Sequence, residues 1–144
     1  MRVLLDECVP QPLHGLLQHI LRGHDVDHVG SVGWSGKKDV PLLKDASRRD
    51  YHVFVTNNFG QFNDPNECDA IRKSGLHHVT YEIDNGRDGL GRACGSLCAA
   101  MLGILTELEA HTSQRLIRVT GLQAGRRRYT ITDPSIDPPS PYWR

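Results

Sequence analysis

The segment Met1-Arg-Val-Leu-Leu-Asp-Glu-Cys-Val-Pro10 opens the chain and governs how the rest of the sequence is interpreted. Its apolar residues 3–5 do not alternate with polar ones, which is typical of a strand buried on both faces in a parallel sheet. Asp6 and Glu7 follow where this strand should end. Ligands collect at the carboxyl edge of such sheets, so the segment predicts a metal site centred on Asp6. The alternative is that Asp6 caps the first helix and that Glu7 is solvated.

Composition indicates one globular domain. The chain has 144 residues, with 17 Lys and Arg against 17 Asp and Glu. This balance excludes a strong non-specific attraction to nucleic acid or to an anionic membrane, so such binding would need a local patch. We identify no membrane-spanning run and no signal-peptide pattern, and we therefore expect a cytoplasmic protein without a membrane partner.

The cysteines give a weak metal signal. Cys94 and Cys98 lie one turn apart on a predicted helix, a spacing that places two thiols on one face and allows a zinc ion in principle. The neighbouring small and apolar residues favour the alternative, which is a pair of buried thiols.

The rest of the sequence alternates strand and helix patterns, as parallel crossover units require. A Pro-rich tail at 133–144 follows a predicted single domain of residues 1–132. We predict helices at 10–23, 39–46, 62–74 and 92–111, and strands at 24–29, 52–56, 76–83, 115–120 and 127–132, the last two forming a hairpin turned at 121–125. The expected core face of the second helix is Val40, Leu43 and Ala46.

Further oxygen donors fall at the edge that Asp6 and Glu7 should occupy. Asp39 opens the second predicted helix, where capping is the competing role, and Thr-Asn-Asn at 56–58 ends the third strand. Carboxylate and amide oxygens are ligands that Mg²⁺ and Mn²⁺ prefer. Phosphodiester hydrolysis uses such ions, because they activate water and neutralise charge on the phosphate oxygens.

Three motifs in order resemble a known family. They are Val-Leu-Leu-Asp-Glu-Cys-Val-Pro at 3–10, Val-Gly-Trp-Ser-Gly-Lys-Lys-Asp at 32–39 and Val-Phe-Val-Thr-Asn-Asn-Phe at 53–59. Over residues 1–83 the chain is similar to the PIN-like domains of small bacterial nucleases, akin to VapC-type toxins. The resemblance implies a three-layer α/β/α PIN-like fold with a mostly parallel central sheet, here with a C-terminal β-hairpin. It also implies metal-dependent RNA cleavage, often as the toxin of a toxin–antitoxin pair, and frequent homodimers.

The resemblance assigns roles by position. Asp6 matches the first family acid and Asp39 the second, while Asn58 stands where a third acid is usual. These three are the predicted catalytic residues, and together with Glu7 they are the predicted ligands of Mg²⁺ or Mn²⁺. An Asn can offer a carbonyl oxygen to a metal, but it removes a negative charge and cannot act as a base.

Basic residues supply a predicted RNA-binding surface. Lys37 and Lys38 precede Asp39 directly, and Arg126, Arg127 and Arg128 lie in the predicted hairpin. Arginine beside aromatic residues is typical of RNA contacts. The alternative for the hairpin is a strand edge that charge protects from aggregation.

Together these observations predict a metal-dependent ribonuclease, with RNA and an antitoxin protein as partners. The alternative is a PIN-like domain with weakened catalysis that binds RNA or a protein. A flavodoxin-like or receiver-like regulatory domain also explains an acid pair after the first strand, but it lacks a phosphoacceptor Asp at position 58. Asp64, Asp84 and Asp88 are alternative acids near this edge; helix capping is the competing role of Asp64 and Asp88.

Overall fold

The computed structural model describes residues 1–86, 88–121 and 129–144. These residues form six strands, four α-helices and one 3₁₀ helix, Phe59–Asn63. The strands are β1 Arg2–Leu5, β2 Asp25–His28, β3 Val53–Thr56, β4 His77–Tyr81, β5 Leu116–Val119 and β6 Tyr129–Thr132. The α-helices are α1 Pro12–Ile20, α2 Asp39–Arg48, α3 Pro65–Ser74 and α4 Gly89–Leu108.

All six strands belong to one sheet with the order β2-β1-β3-β4-β5-β6. The first five strands are parallel, and β6 pairs antiparallel to β5. The predicted fold class is therefore confirmed, whereas most of the predicted hairpin turn at 121–125 lies outside the described residues. The chain passes from β1 to β2 on one side and later to β3 on the other. Such a reversal opens a crevice beyond the carboxyl ends of the two diverging strands.

Helices cover the sheet on two faces because the strands carry apolar side chains on both. In β1, Val3 and Leu5 contact a cluster formed with α1 and α4, whereas Leu4 contacts a second cluster formed with α2 and α3. All three side chains are fully buried. The two apolar layers fix β1 in the centre of the fold and position the residues that follow it.

Helix α4 is long and apolar enough to cross a membrane by length and composition alone. It connects two parallel strands of the sheet, and Leu97, Met101 and Ile104 are fully buried against them. These contacts are those of a core helix. The helix begins at Gly89, three residues before the predicted start at 92. A Cβ atom there would lie 1.9 Å from the backbone oxygen of Asp84, so the close approach requires glycine.

The core face of α2 differs from the prediction by one position. Leu42, Leu43 and Ala46 are buried, but Val40 is 42% exposed, so its predicted core position was wrong. The helix begins with Asp39 as its first helical residue, one position earlier than a capping Asp39 would imply. Successive residues of a helix are turned by about 100°, so Val40 lies well away from the centre of the stripe formed by Leu42, Leu43 and Ala46 and faces solvent.

The third predicted helix is divided into two elements. A 3₁₀ helix comes first, and Asp64 then caps α3 by accepting hydrogen bonds from the backbone N–H groups of Asn66 and Glu67 at 2.8 and 3.0 Å. The capping role expected for Asp64 is therefore observed. Gly75 ends α3 with a positive φ of 70°, as predicted for a residue after a helix.

The C-terminal segment after β6 is docked on the domain. Trp143 packs against the cluster under α2 and α3. Asp133 forms an ion pair with Arg115 at 3.1 Å. The side chains of this pair are only 25% and 15% exposed. Trp143 thus helps to cover the sheet.

Two consecutive histidines in β4 give the fold a predicted pH dependence. His77 accepts a hydrogen bond at Nδ1 from the backbone N–H of Arg115 at 3.0 Å. Burial lowers the pKa of His77 to about 4 and that of His78 to about 3. Both rings are therefore neutral in the folded protein, whereas in the unfolded chain they protonate near pH 6.5. The stabilisation that they contribute is complete above pH 6.5 and is lost as the pH falls from 6.5 toward 4.

We expect the His77→Asn variant, which retains an acceptor but does not titrate, to weaken this pH dependence. The change in the free energy of unfolding between pH 7 and pH 4 should decrease by on the order of 2 kcal/mol. Urea denaturation across this range measures it. His19→Asn is the matched control, because His19 is exposed. An equal pH dependence in both variants would contradict the prediction.

Candidate functional site

The first element of the site is a buried carboxylate at the crevice between β1 and β3. Asp6 extends the strand pairing, because its N–H donates to the backbone oxygen of Val55 at 2.9 Å. Its side chain is 8% exposed. The hydroxyl of Thr56 donates to Oδ2 at 2.6 Å, and the N–H of Glu7 donates to Oδ1 at 2.7 Å. Both oxygens are thus held by donors, and the orientation of the carboxylate is fixed.

A thiol completes the contacts of this carboxylate. Cys8 Sγ donates to Asp6 Oδ2 at 3.3 Å. Burial is the main cause that raises the pKa of Cys8, the Asp6 carboxylate raises it further, and hydrogen bonds with Thr56 and Asn57 oppose the rise. The thiol is therefore protonated at neutral pH and serves as a donor to Asp6, not as a nucleophile.

A shallow open depression lies above these residues. Its lining is Asp6, Glu7, Cys8, Asn57, Asn58 and Phe59. Both carboxylate oxygens of Glu7 accept the N–H of Gly36, at 3.2 and 3.3 Å, so this carboxylate is tethered to the Gly-rich loop before α2. Asn58 is exposed, and its Oδ1 caps the 3₁₀ helix through the N–H of Gly60 at 3.1 Å.

A second pair of carboxylates lies at the starts of α2 and α3. Asp39 is the first residue of α2, and Glu67 lies in the first turn of α3. Partial burial raises the pKa of Glu67, and the neighbouring carboxylates of Asp39 and Asp64 raise it further, Asp39 also by a side-chain hydrogen bond. The neighbouring carboxylates repel one another when they are ionised, and a bound cation would relieve this repulsion. Glu67 was not predicted as a site residue, although an acid three residues after a helix cap was a usable signal.

The acids therefore occupy one edge of the sheet as two pairs. Helices α2 and α3 follow parallel strands, so their first turns lie at the same carboxyl edge as Asp6 and Glu7. Within the described ranges, no three His, Cys, Asp or Glu side chains are close enough to hold a metal ion together. Hydrated Mg²⁺ needs only one or two carboxylates and retains several waters. The oxygen donors of either pair fit an ion of this kind.

The predicted basic residues have unequal surroundings. Lys37 Nζ lies 2.5 Å from Asp45 Oδ2 and 5.4 Å from the ring centroid of Trp34. Lys38 precedes the first residue of α2 and is exposed. Lys38 is thus the more available cation beside Asp39. The predicted RNA-binding residues 126–128 lie outside the described part of the chain.

The alternative acids have other partners. Asp84 and Asp88 both pair with Arg92, at 3.4 and 3.2 Å, near the start of α4. Asp88 occupies the N-cap position of α4, as predicted, but its side chain makes no capping hydrogen bond. These contacts direct both carboxylates toward α4. Neither of them lines the depression, where Asn58 lies.

Comparison with known proteins gives one family. A model of the PIN like domain matches residues 1–82, which include β1 to β4 and the two pairs of acids described above. No match to a curated protein was found.

The carboxylate pair predicts that neutralising Glu67 stabilises the protein when no divalent ion is present. Glu67→Gln should raise the melting temperature at pH 7 in EDTA by a few degrees, because it removes repulsion from Asp39 and Asp64. Mg²⁺ should raise the melting temperature of the wild type and raise that of the variant less. Asp25→Asn is the control, since Asp25 is exposed and lies at the amino end of β2, away from this pair. A variant that is destabilised in EDTA would refute the assignment of repulsion.

Proposed function

Since the chain belongs to the PIN-like domain family, we propose that it is a divalent-metal-dependent endoribonuclease. PIN-like domains are generally divalent-metal-dependent nucleases. The observation that supports the proposal most is the fixed, nearly buried Asp6 carboxylate at the crevice where the strand order reverses. Buried charges are usually paired with an opposite charge or coordinate a metal. The donors that hold Asp6 are all neutral, and within the described ranges no ion pair includes it.

The residues of the proposed centre divide into ligands and supports. Asp6 and Glu7 would hold a divalent ion at the depression, together with the amide oxygen of Asn58, whereas Asp39 would hold an ion at the second pair, beside Glu67. The bound ion would lower the pKa of a water molecule and neutralise charge on the phosphate. Thr56 contributes by holding Asp6 in one orientation, so that less reorganisation is needed when the substrate arrives.

The open shape of the depression favours a polymer as substrate. A shallow surface that ends at an exposed Asn58 admits a continuous strand, whereas small molecules are usually enclosed. Lys38 would attract the phosphate backbone toward Asp39. As finer parts of the same proposal, we assign the protein to the bacterial cytoplasm, to a toxin role with an antitoxin protein, and to a homodimer.

A second candidate function is RNA or protein binding without cleavage. The observation that favours it is the role of Asn58, whose side-chain oxygen already accepts the N–H of Gly60 at 3.1 Å. An amide engaged as a helix cap is a poor substitute for a carboxylate ligand. The two functions differ in whether RNA is cut when a divalent ion is present.

We expect the double variant Asp6→Asn and Asp39→Asn to abolish cleavage of a mixed RNA pool in Mn²⁺ while the circular dichroism spectrum is unchanged. Both substitutions remove charge at the proposed centre and preserve size. Asp25→Asn is the matched control, because Asp25 is an exposed residue at the opposite, amino end of β2. Retained cleavage in the double variant would eliminate this assignment of the metal ligands.

The Asn58→Asp variant separates the two candidate functions. Restoring a carboxylate should raise the rate of cleavage in Mn²⁺ by about tenfold or more, because a charged ligand binds the ion more tightly. EDTA should stop cleavage by both proteins. If only Asn58→Asp cuts RNA, the natural protein has lost cleavage and the binding function replaces the nuclease proposal.

A further inference from the structure

A groove lies on the face of β4, β5 and β6 that is opposite to α4. Side chains alternate along these strands, so Val79 and Val119 join the core under α4 while most of the intervening residues face the groove. The 3₁₀ helix forms one wall and the C-terminal segment at 137–139 forms another. The groove has a volume of about 370 Å³, which is within the range of small-ligand sites.

The lining combines aromatic rings, hydroxyl groups, the cation of Arg118 and the carboxylate of Asp137. Arg118 lies with its guanidinium carbon 5.4 Å from the ring centroid of Phe59, and a contact with Glu82 holds this arginine in place. The groove residues of the strands and the 3₁₀ helix are Phe59, Phe62, His78, Thr80, Leu116, Ile117, Arg118, Thr130 and Thr132. Aromatic faces beside an arginine are typical of surfaces that bind single-stranded nucleic acid, because bases stack on the rings and phosphates approach the cation.

The floor of the groove contains a polar group without a partner. His78 is 1% exposed, and neither of its ring nitrogens has a hydrogen-bond partner. Its ring lies between Phe54 and Phe62, with centroid distances of 5.5 and 5.4 Å. A neutral imidazole has one donor and one acceptor. Buried polar groups normally have hydrogen-bond partners. The ring nitrogens of His78 are therefore available to a ligand that offers a hydrogen-bond donor or acceptor at the floor of the groove.

The groove is continuous with the proposed active site. Phe59 lines both the groove and the depression that contains Asp6 and Asn58. It follows Asn58 directly in the chain, so it lies where the groove and the depression meet. A strand whose phosphate lies at Asp6 would therefore place a neighbouring nucleotide next to Phe59.

We propose that this groove binds an unpaired nucleotide of single-stranded RNA next to the bond that is cut. The base stacks on Phe59 in the groove above His78, and its phosphate lies near Arg118. The identity of the ligand as RNA rests on the proposed nuclease function. A paired base cannot enter such a groove without leaving its helix, so the site selects single-stranded substrate.

Binding without cleavage tests the groove directly. The probes are a fluorescent six-nucleotide RNA, the same strand in a duplex, and the strand with one 2-aminopurine, whose fluorescence falls on stacking. Each is titrated in EDTA and again in Ca²⁺. Wild type should prefer the single strand by at least tenfold and quench 2-aminopurine. Phe59→Leu should weaken binding by about 5-fold to 100-fold, which is the range for one stacked base, and should abolish quenching, while Phe59→Tyr should retain both.

The remaining variants distinguish the groove from its surroundings. Arg118→Gln should weaken binding and reduce its salt dependence, whereas Arg22→Gln should not, because Arg22 is an exposed residue before β2. Melting temperatures verify that each variant is folded. Equal binding by wild type, Phe59→Leu and Arg118→Gln, or no binding of the single strand in either solution, would overturn the proposal. Stacking at Phe59 in a protein that never cuts RNA would support the groove and refute the nuclease.

Discussion

The burial of β1 between two parallel neighbours is the constraint on which the rest of the structure depends. Its three central side chains are fully buried, so the strand cannot slip by one residue without exposing apolar groups on both faces. The pairing of Leu5 with Val55 then fixes the next residues of both strands. Asp6 and Thr56 are thereby adjacent, and a hydroxyl meets a carboxylate at 2.6 Å. The packing of the core in this way determines the geometry of the site.

Much of this arrangement could be predicted because it is encoded locally. An uninterrupted apolar run predicts a central strand, and the polar residues after β1 and β3 must share an edge in any parallel sheet. The position of Val40 could not be predicted in the same way. Helical spacing allows Val40, Leu43 and Ala46 as a core face as well as Leu42, Leu43 and Ala46, and only the packing of α2 selects the second set. The start of α3 could have been predicted from the sequence. Asp64 followed by Pro65 is typical of a helix start, but the predicted helix began at residue 62 and included both.

The carboxylate pair of Asp39 and Glu67 lay beyond the reach of local patterns. It forms because α2 packs on α3, and no property of either segment specifies which of their first-turn residues meet. The same limit applies to Lys37, which appeared available for phosphate but is held by Asp45 on α2 and by the ring of Trp34. Residues that end strands were thus placed correctly on the edge, while residues whose environment depends on helix packing were not.

The distribution of charge bears on how such a centre would work. The acids form two pairs and no compact group of three, so neither pair alone provides the closed set of ligands expected of a tight metal site. Mg²⁺ often takes its remaining ligands from the phosphate of the substrate. A site with one rigid carboxylate at Asp6, and a mutually repelling pair at Asp39 and Glu67, suits this division of ligands. The ion and the RNA would then bind together, each increasing the affinity for the other. Asn58, in place of an acid, would make the centre less negative and would leave the depression open to an RNA strand.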